Sequence, residues 1–228
     1  PATADTAVSI TLGGNPEELA ALGKLLAQPV QAARTAAGTT QRMNQLKQLA
    51  LAFHVYHDAK KSFPPAAICD KDGKPLLSWR VALLPYLEQN DLYKEFHLDE
   101  PWDSEHNLKL IERMPAFYAD PDPAVRKAIG DPWKTTYVVP TGEGTVFHGC
   151  QGVGVKEITD GTSCTILAVE VVPERAVIWT KPDDWEVDWK NPLDGVRRSD
   201  GRPFAAVWCD GSVRIQGADT DPGWWKKV

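Results

Sequence analysis

The chain has 228 residues, of which 43% are hydrophobic and 25% charged, with a formal net charge of -6 at pH 7. These proportions lie near the averages of globular proteins, so they argue against wholesale disorder and favour one domain with a substantial core. The acidic balance argues against nucleic acid as the main partner, and no apolar run approaches the roughly 20 residues that span a bilayer.

The first residues predict a strand and a linker. Residues 7–12, AVSITL, alternate small and apolar side chains, as strands do, and Gly13-Gly14 ends the pattern. We interpret residues 1–14 as the remainder of an upstream domain, and residues 15–228 as a single domain. The opening PATADTA is polar, so we expect no signal peptide within these residues.

A long helix is predicted next. Asn15 stands where an N-cap belongs, and Pro16 follows as the first helical residue. Apolar side chains then recur every three or four positions, which predicts a helix over residues 16–59. Pro29 supplies no amide for the helical hydrogen bonds, so we expect a bend or an interruption there. Such a helix needs a large apolar surface to pack against.

The middle of the chain predicts a turn and short helices. The DKDG segment at residues 70–73 is a turn, and Ser78 can cap a helix that carries Trp79. The run DSEHNLKLIERM predicts another short helix that starts near Asp103.

From about residue 115, β-branched runs separated by turn signals predict strands. The clearest turns are Asp160-Gly161 and Asp210-Gly211. The predicted strand segments are TTYVV, TVF, TILAVEVV, AVIW, FAAVWC and SVRI. Strands and helices do not alternate, so we expect an α+β fold with an antiparallel sheet rather than a doubly wound parallel one.

Four segments of the sequence carry a resemblance to a known family. They are PVQAARTAAGTTQRMNQLKQLALAFHVYHDAKKSFPPA, LLSWRVALLPYLEQNDLYKEFHLDEPWDSEHN, ITDGTSCTILAVEVVPERAVIWTKPDD and FAAVWCDGSVRI. In this order they resemble a domain-of-unknown-function family that is abundant in planctomycetes and related to type IV pilins and pseudopilins. The resemblance covers residues 29–215 or so.

The resemblance implies a type IV pilin-like fold, in which a long N-terminal helix packs on an antiparallel sheet and short helices lie in the connection. It also implies an extracytoplasmic or cell-surface location, with a membrane anchor in the full-length protein. The chain departs from the family at residues 1–28, which predict a strand and a capped helix rather than a prepilin leader. Cys164 stands where the family usually has asparagine.

The four cysteines form an even set without a CxxC pair, so they do not have the spacing of a zinc site. Cys150 could pair with Cys164 across neighbouring strands, although three connectivities are open and buried free thiols are the alternative. His148 and Cys150 could act as base and nucleophile, but no third group that would orient them is evident. We therefore expect a disulfide or buried thiols rather than catalysis.

Nine tryptophans are unusual for this length, and Trp179, Trp185 and Trp189 lie in late, polar segments. Aromatic rings beside carboxylates are typical of sugar-binding surfaces, so these three residues form a candidate ligand surface. The alternative is that the tryptophans cover the sheet and anchor irregular loops.

Metal and nucleotide sites have little support. His54, His57 and Asp58 lie close together on one helix, so the two imidazoles could share a face and bind a metal. No HExxH pattern is present, and we expect instead that one histidine packs between the helix and the sheet while Asp58 lies near the helix end. Calcium in a carboxylate-rich loop is an open alternative without EF-hand spacing. No phosphate-binding loop or GxSxG motif occurs.

We therefore predict a non-catalytic, extracytoplasmic structural or interaction module. Its expected partners are other protein subunits or cell-surface components, and no cofactor is expected. The alternative from a different class is a tryptophan-rich module that binds polysaccharide. No acid, base and nucleophile are brought together by spacing alone, so an enzyme is not expected.

Overall fold

The computed structural model describes the backbone of residues 16–217 and 219–221, and side chains within these ranges from residue 36 onward. The chain divides into two compact units, residues 1–40 and 41–228. The first unit holds the beginning of helix α1, and the second holds its end and all the described strands. The strand predicted at residues 7–12, the Asn15 cap and the boundary predicted after residue 14 lie outside the described residues.

Helix α1 (Pro16–Lys60) has 45 residues and continues through Pro29, so the predicted interruption does not occur. Its buried side chains in the second unit follow helical spacing and confirm the predicted stripe there; they are Leu46, Leu49, Ala50, Ala52 and Phe53. No helix in the described part of the chain combines the length and hydropathy needed to cross a membrane.

Short helices fill the connection between α1 and the main sheet. They are α2 (Trp79–Leu83), α3 (Asn90–Glu95) and α4 (Pro123–Ile129), with 3-10 turns at Leu84–Leu87, Asn107–Arg113, Ala116–Tyr118, Val155–Glu157 and Pro173–Arg175. The Ser78 hydroxyl accepts the Arg80 amide at 3.2 Å, which confirms the predicted cap of α2. The helix predicted near Asp103 is instead the 3-10 helix at Asn107–Arg113.

The described residues contain ten short strands, in agreement with the α+β prediction, and the main antiparallel sheet has the order β10-β9-β6-β4. Two further antiparallel pairs, β1-β2 and β3-β7, accompany one parallel pair, β5-β8. The strands are β1 (Ala67–Cys69), β2 (Pro75–Ser78), β3 (Lys134–Thr135), β4 (Tyr137–Val138), β5 (Pro140–Thr141), β6 (Ile166–Glu170), β7 (Val177–Ile178), β8 (Trp185–Glu186), β9 (Phe204–Trp208) and β10 (Val213–Gln216).

Of two features predicted for the strand-rich part of the chain, the strand at TVF is wrong and the turn at Asp210-Gly211 is confirmed. The TVF segment forms no strand, because Phe147 contributes only a single bridge to Thr141. The predicted turn at Asp210-Gly211 is confirmed between β9 and β10, where Gly211 has φ +81° and the Asp210 side chain accepts the Ser212 amide.

The two faces of the main sheet belong to different apolar clusters. Side chains of β9 alternate, so that Ala205 and Val207 pack in the cluster of α1, while Ala206 and Trp208 pack in a second cluster with Leu193. The sheet is therefore buried on both faces, by α1 on one and by the segment after β8 on the other.

Candidate functional site

A buried cluster of charged side chains lies where α1 meets β6. Glu170, at the end of β6, is 1% exposed and accepts a hydrogen bond from Arg42 Nη1 of α1 at 3.0 Å. Arg198 Nη1 lies 3.5 Å from the same carboxylate oxygen, and the Ala205 amide of β9 donates to the other oxygen at 3.3 Å. One carboxylate thus ties together α1, two strands and the segment before β9.

The pKa of the buried Glu170 carboxyl reflects two opposing influences, burial and the charge of Arg42. Burial raises the pKa of Glu170, and the positive charge of Arg42 counters part of that rise. Donors from the protein itself engage both carboxylate oxygens. The arrangement joins α1, β6, β9 and the segment before β9.

A second carboxylate, Asp120, lies close by and is 1% exposed. It accepts hydrogen bonds from the Asp122 amide at 2.8 Å and from the Thr136 hydroxyl at 3.3 Å. Burial raises the pKa of Asp120, and the Asp122 amide and the charge of Arg42 counter part of that rise. Arg42 therefore interacts electrostatically with two buried carboxylates, Glu170 and Asp120.

Three positions after Arg42 on α1, Gln45 continues the polar contacts between the helix and the sheet. The Tyr137 hydroxyl of β4 donates to Gln45 Oε1 at 2.9 Å. The amide nitrogen of Gln45 donates to the carbonyls of Ala116 and Ala119 at 3.2 Å and 3.1 Å. All polar atoms of this buried side chain are satisfied, as buried polar groups usually are.

Another buried ion pair lies between α2 and the segment before β8. Asp184 Oδ1 accepts from Arg80 Nη2 at 2.7 Å, from Trp79 Nε1 at 3.1 Å and from the Val139 amide at 3.0 Å. Arg80 also donates twice to the carbonyl of Tyr137. Burial raises the pKa of Asp184, which Arg80 and the other donors counter in part. The Asp184 carboxylate is thus hydrogen-bonded to donors within the chain.

A short loop covers the C-terminal end of α1 and is attached to it at several points. The Phe63 amide donates to the Val153 carbonyl at 2.8 Å, and the Val155 amide donates to His57 Nε2 at 3.3 Å. Gly152 lies so close that a Cβ built on it would be 2.0 Å from the Phe63 carbonyl oxygen. We call residues 149–155 the covering loop.

Comparison with models of protein families identifies the family of the chain. The model of a family described as Protein of unknown function (DUF1559) matches residues 31–225. The chain belongs to this family. Comparisons with curated proteins and with solved structures gave no match.

In this DUF1559 protein, Cys150 is bonded to Cys69, which corrects the expected pair of Cys150 and Cys164. The covering loop brings Cys150 beside the β1-β2 hairpin, with a Cα–Cα distance of 5.8 Å to Cys69. Cys164 and Cys209 are free thiols, and burial raises the pKa of Cys209. Since Cys150 is oxidised, it cannot serve as the nucleophile considered for the pair with His148.

The structure does not bring the three candidate tryptophans together as one exposed surface. Trp179 is fully buried in the α1 cluster, and Trp185 is 6% exposed in the cluster on the other face of the sheet. Each indole N–H donates to a carbonyl, Trp179 to Ile111, Trp185 to Asp194 and the half-buried Trp189 to Glu143. These rings anchor irregular segments, which was the alternative prediction.

The histidines of α1 pack locally. The rings of His54 and His57 both contact Phe63, and among the described residues no three His, Cys, Asp or Glu side chains cluster as metal ligands would. Burial lowers the pKa of His54, and nearby His57 lowers it further. His54 is therefore neutral at neutral pH.

Sequence reasoning missed the Arg42 and Glu170 contact of the DUF1559 protein. The two residues are 128 positions apart, and nothing in their local patterns links them. The available signal is the position of Glu170 inside the apolar run TILAVEVV, because a charge within a buried strand needs a partner.

Proposed function

We propose that this DUF1559 protein is a non-catalytic, extracytoplasmic structural or interaction module with a pilin-like fold. The observation that carries the proposal is the packing of one face of the C-terminal part of α1 against an antiparallel sheet. The resemblance to pilin-related planctomycete proteins supports the same arrangement. The buried ion pairs support a non-catalytic role, since their charged groups are engaged within the chain.

The disulfide supports the extracytoplasmic location. Disulfides persist in oxidising compartments and are rare in the reducing cytosol. Cys69 and Cys150 are 81 positions apart, so their bond joins distant parts of the second unit. By analogy with pilin relatives, the full-length protein is then anchored in a membrane and contacts other subunits at the cell surface.

Polysaccharide binding through the three tryptophans gains no support. Sugar rings stack on exposed aromatic faces, whereas Trp179 and Trp185 are buried. We therefore do not retain it as a second candidate function.

The location is tested by trapping thiols in cells that produce the full-length protein. After acid quenching and denaturation, labelled peptides are mapped and only the four cysteines of this sequence are counted. We expect a maleimide reagent to label two of them in the wild type, Cys164 and Cys209, since the other two are in the disulfide. Cys69→Ser should give three labelled cysteines and Cys164→Ser one. Four labelled cysteines in the wild type would show a reduced pair and contradict the proposed compartment.

The interaction role is tested on intact cells with a cross-linker that does not cross membranes. We expect the protein to appear in higher-mass species that contain other surface proteins or further copies. A protein that remains unmodified on intact cells, but reacts after lysis, would contradict the surface location and the interaction role together.

A further inference from the structure

Helix α1 carries an exposed stripe on the side that does not face the sheet. Among the described residues, four large apolar side chains are exposed, and two of them, Leu51 at 65% and Val55 at 43%, lie one turn apart on α1. The exposed residues of the stripe recur at alternating intervals of four and three, as in the seam of a coiled coil. They are Asn44, Gln48, Leu51, Val55 and Asp58, which we call the α1 seam.

The seam is separate from the core stripe of the same helix. Leu46, Leu49 and Phe53 are fully buried and face the sheet, whereas every residue of the seam is exposed. Packing among the described residues therefore does not account for Leu51, the most exposed large apolar residue that the structure describes.

Two charged residues on either side of Leu51 and Val55 complement one another in a symmetric pair. Exposed Lys47 lies at the N-terminal side and Asp58, whose side chain is 87% exposed, at the C-terminal side. In an antiparallel pair with its two-fold axis midway between Leu51 and Val55, Leu51 of each copy meets Val55 of the other. Lys47 of each copy then lies beside Asp58 of the other, which makes the surface self-complementary.

We propose that a second copy of this chain docks antiparallel on the α1 seam. The inference rests on the proposed interaction role and names a partner for it. The seam buries few apolar side chains, and interfaces well below about 800 Å² per partner are typical of weak, transient association. The pair therefore forms at high local concentration, such as that of an anchored surface protein.

Sedimentation equilibrium of the full chain over a wide concentration range measures the association. We expect a monomer–dimer equilibrium that weakens as salt is added, because the flanking charges are exposed. Leu51→Gln should raise the dissociation constant by about tenfold or more, since the apolar contact is lost from both halves of the interface. Leu108→Gln and Ile215→Gln, at the other exposed apolar positions, should leave it unchanged.

Charge exchange gives the sharper test. Lys47→Glu and Asp58→Lys should each weaken the dimer, and the double variant should restore the wild-type dissociation constant, because the exchanged pair attracts again. Thermal unfolding of each variant at a concentration where the chain is monomeric should match the wild type, since these side chains are exposed.

A chain that stays monomeric throughout, or a double variant that remains as weak as the single ones, would overturn the proposal. A monomer that still carries the oxidised cysteine pair and cross-links to other proteins on cells would refute the seam and leave the proposed function standing. Reduced cysteines in cells, combined with a dimer that depends on the α1 seam, would contradict the proposed extracytoplasmic function and support the seam.

Discussion

Glu170 illustrates how a buried charge can specify contacts without adding much net stability. Removing a carboxylate and a guanidinium from water costs several kcal/mol per ion, and their attraction recovers this only with good geometry and further hydrogen bonds. Glu170 has both, from Arg42, Arg198 and the Ala205 amide. The pair therefore fixes where the C-terminal part of α1 lies on the sheet more than it strengthens the fold.

This interpretation predicts that removing one partner of the Arg42–Glu170 pair costs more stability than the pair itself contributes. Arg42→Met leaves Glu170 buried with one guanidinium fewer, so we expect a loss of about 3 kcal/mol in the free energy of unfolding. Arg42→Met combined with Glu170→Met should cost clearly less than the sum of the two single substitutions. Urea unfolding of all four chains measures this cycle, and strict additivity would show that the two side chains do not interact.

Gly152 is required by space rather than by backbone conformation. Any Cβ would be 2.0 Å from the Phe63 carbonyl oxygen, which is backbone and cannot rotate away. We expect Gly152→Ala to destabilise the chain by about 2–3 kcal/mol, as overpacking does. Gly38→Ala is the control, since no described atom beyond the adjoining turns of its own helix lies within 4 Å of its built Cβ, and alanine favours helices. Equal melting temperatures for both variants would contradict the close approach.

At the scale of elements, the contact between α1 and the β9-β10 turn depends on a neutral histidine. His54 Nε2 is buried without a hydrogen-bond partner, and it lies 3.2 Å from where a Cβ on Gly211 would be. Burial lowers the pKa of His54 below its ordinary value of 6.5. Between the lowered pKa and 6.5, the unfolded chain binds more protons than the folded chain. His54 thus stabilises the fold fully above about pH 6.5, and this contribution is lost as pH falls through the folded pKa.

We therefore expect the wild type to lose more stability than His54→Gln when the pH is lowered from 7.5 to 5.5. Asp120, Glu170 and Asp184 have raised pKa values, which changes stability with the opposite sign, but they are common to both chains. The difference between the two urea midpoints at each pH isolates His54. Parallel pH profiles would show that its protonation is not linked to folding.

The sequence predicts elements well where a local pattern is strong. Helical periodicity and the Ser78 cap gave α1 and the start of α2, and the Asp210-Gly211 turn gave the β9-β10 hairpin. Two-residue strands such as β3 and β5 have too few positions for a period, so the strand pattern could not set their limits.

Contacts between distant residues could not be predicted in the same way. The bond between Cys69 and Cys150 depends on the covering loop meeting the β1-β2 hairpin, and this follows from the tertiary fold. The burial of Trp179 and Trp185 likewise depends on the tertiary fold, since polar residues follow Trp179 and precede Trp185 in the sequence. The tryptophans and the nearby carboxylates therefore suggested a ligand surface, whereas Trp179 and Trp185 lie in the core.

For the whole molecule, the disulfide is the main covalent constraint. It links positions 81 residues apart, and closing a loop of this size restricts the unfolded chain. We expect Cys69→Ser combined with Cys150→Ser to lower the free energy of unfolding by about 2–4 kcal/mol. Cys164→Ser should change it little, because this half-buried thiol is free. A double variant as stable as the wild type would show that the bond contributes nothing beyond the packing of the covering loop.

The same bond changes what a protease can achieve. Residues 69–150 form a covalent ring that contains α2, α3 and α4, together with β2 to β5. A single cut anywhere inside the ring leaves both halves attached through Cys69 and Cys150. On a denaturing gel, a chain cut once inside the ring would therefore migrate as one species until a reductant is added. A single proteolytic cut there would not release a fragment.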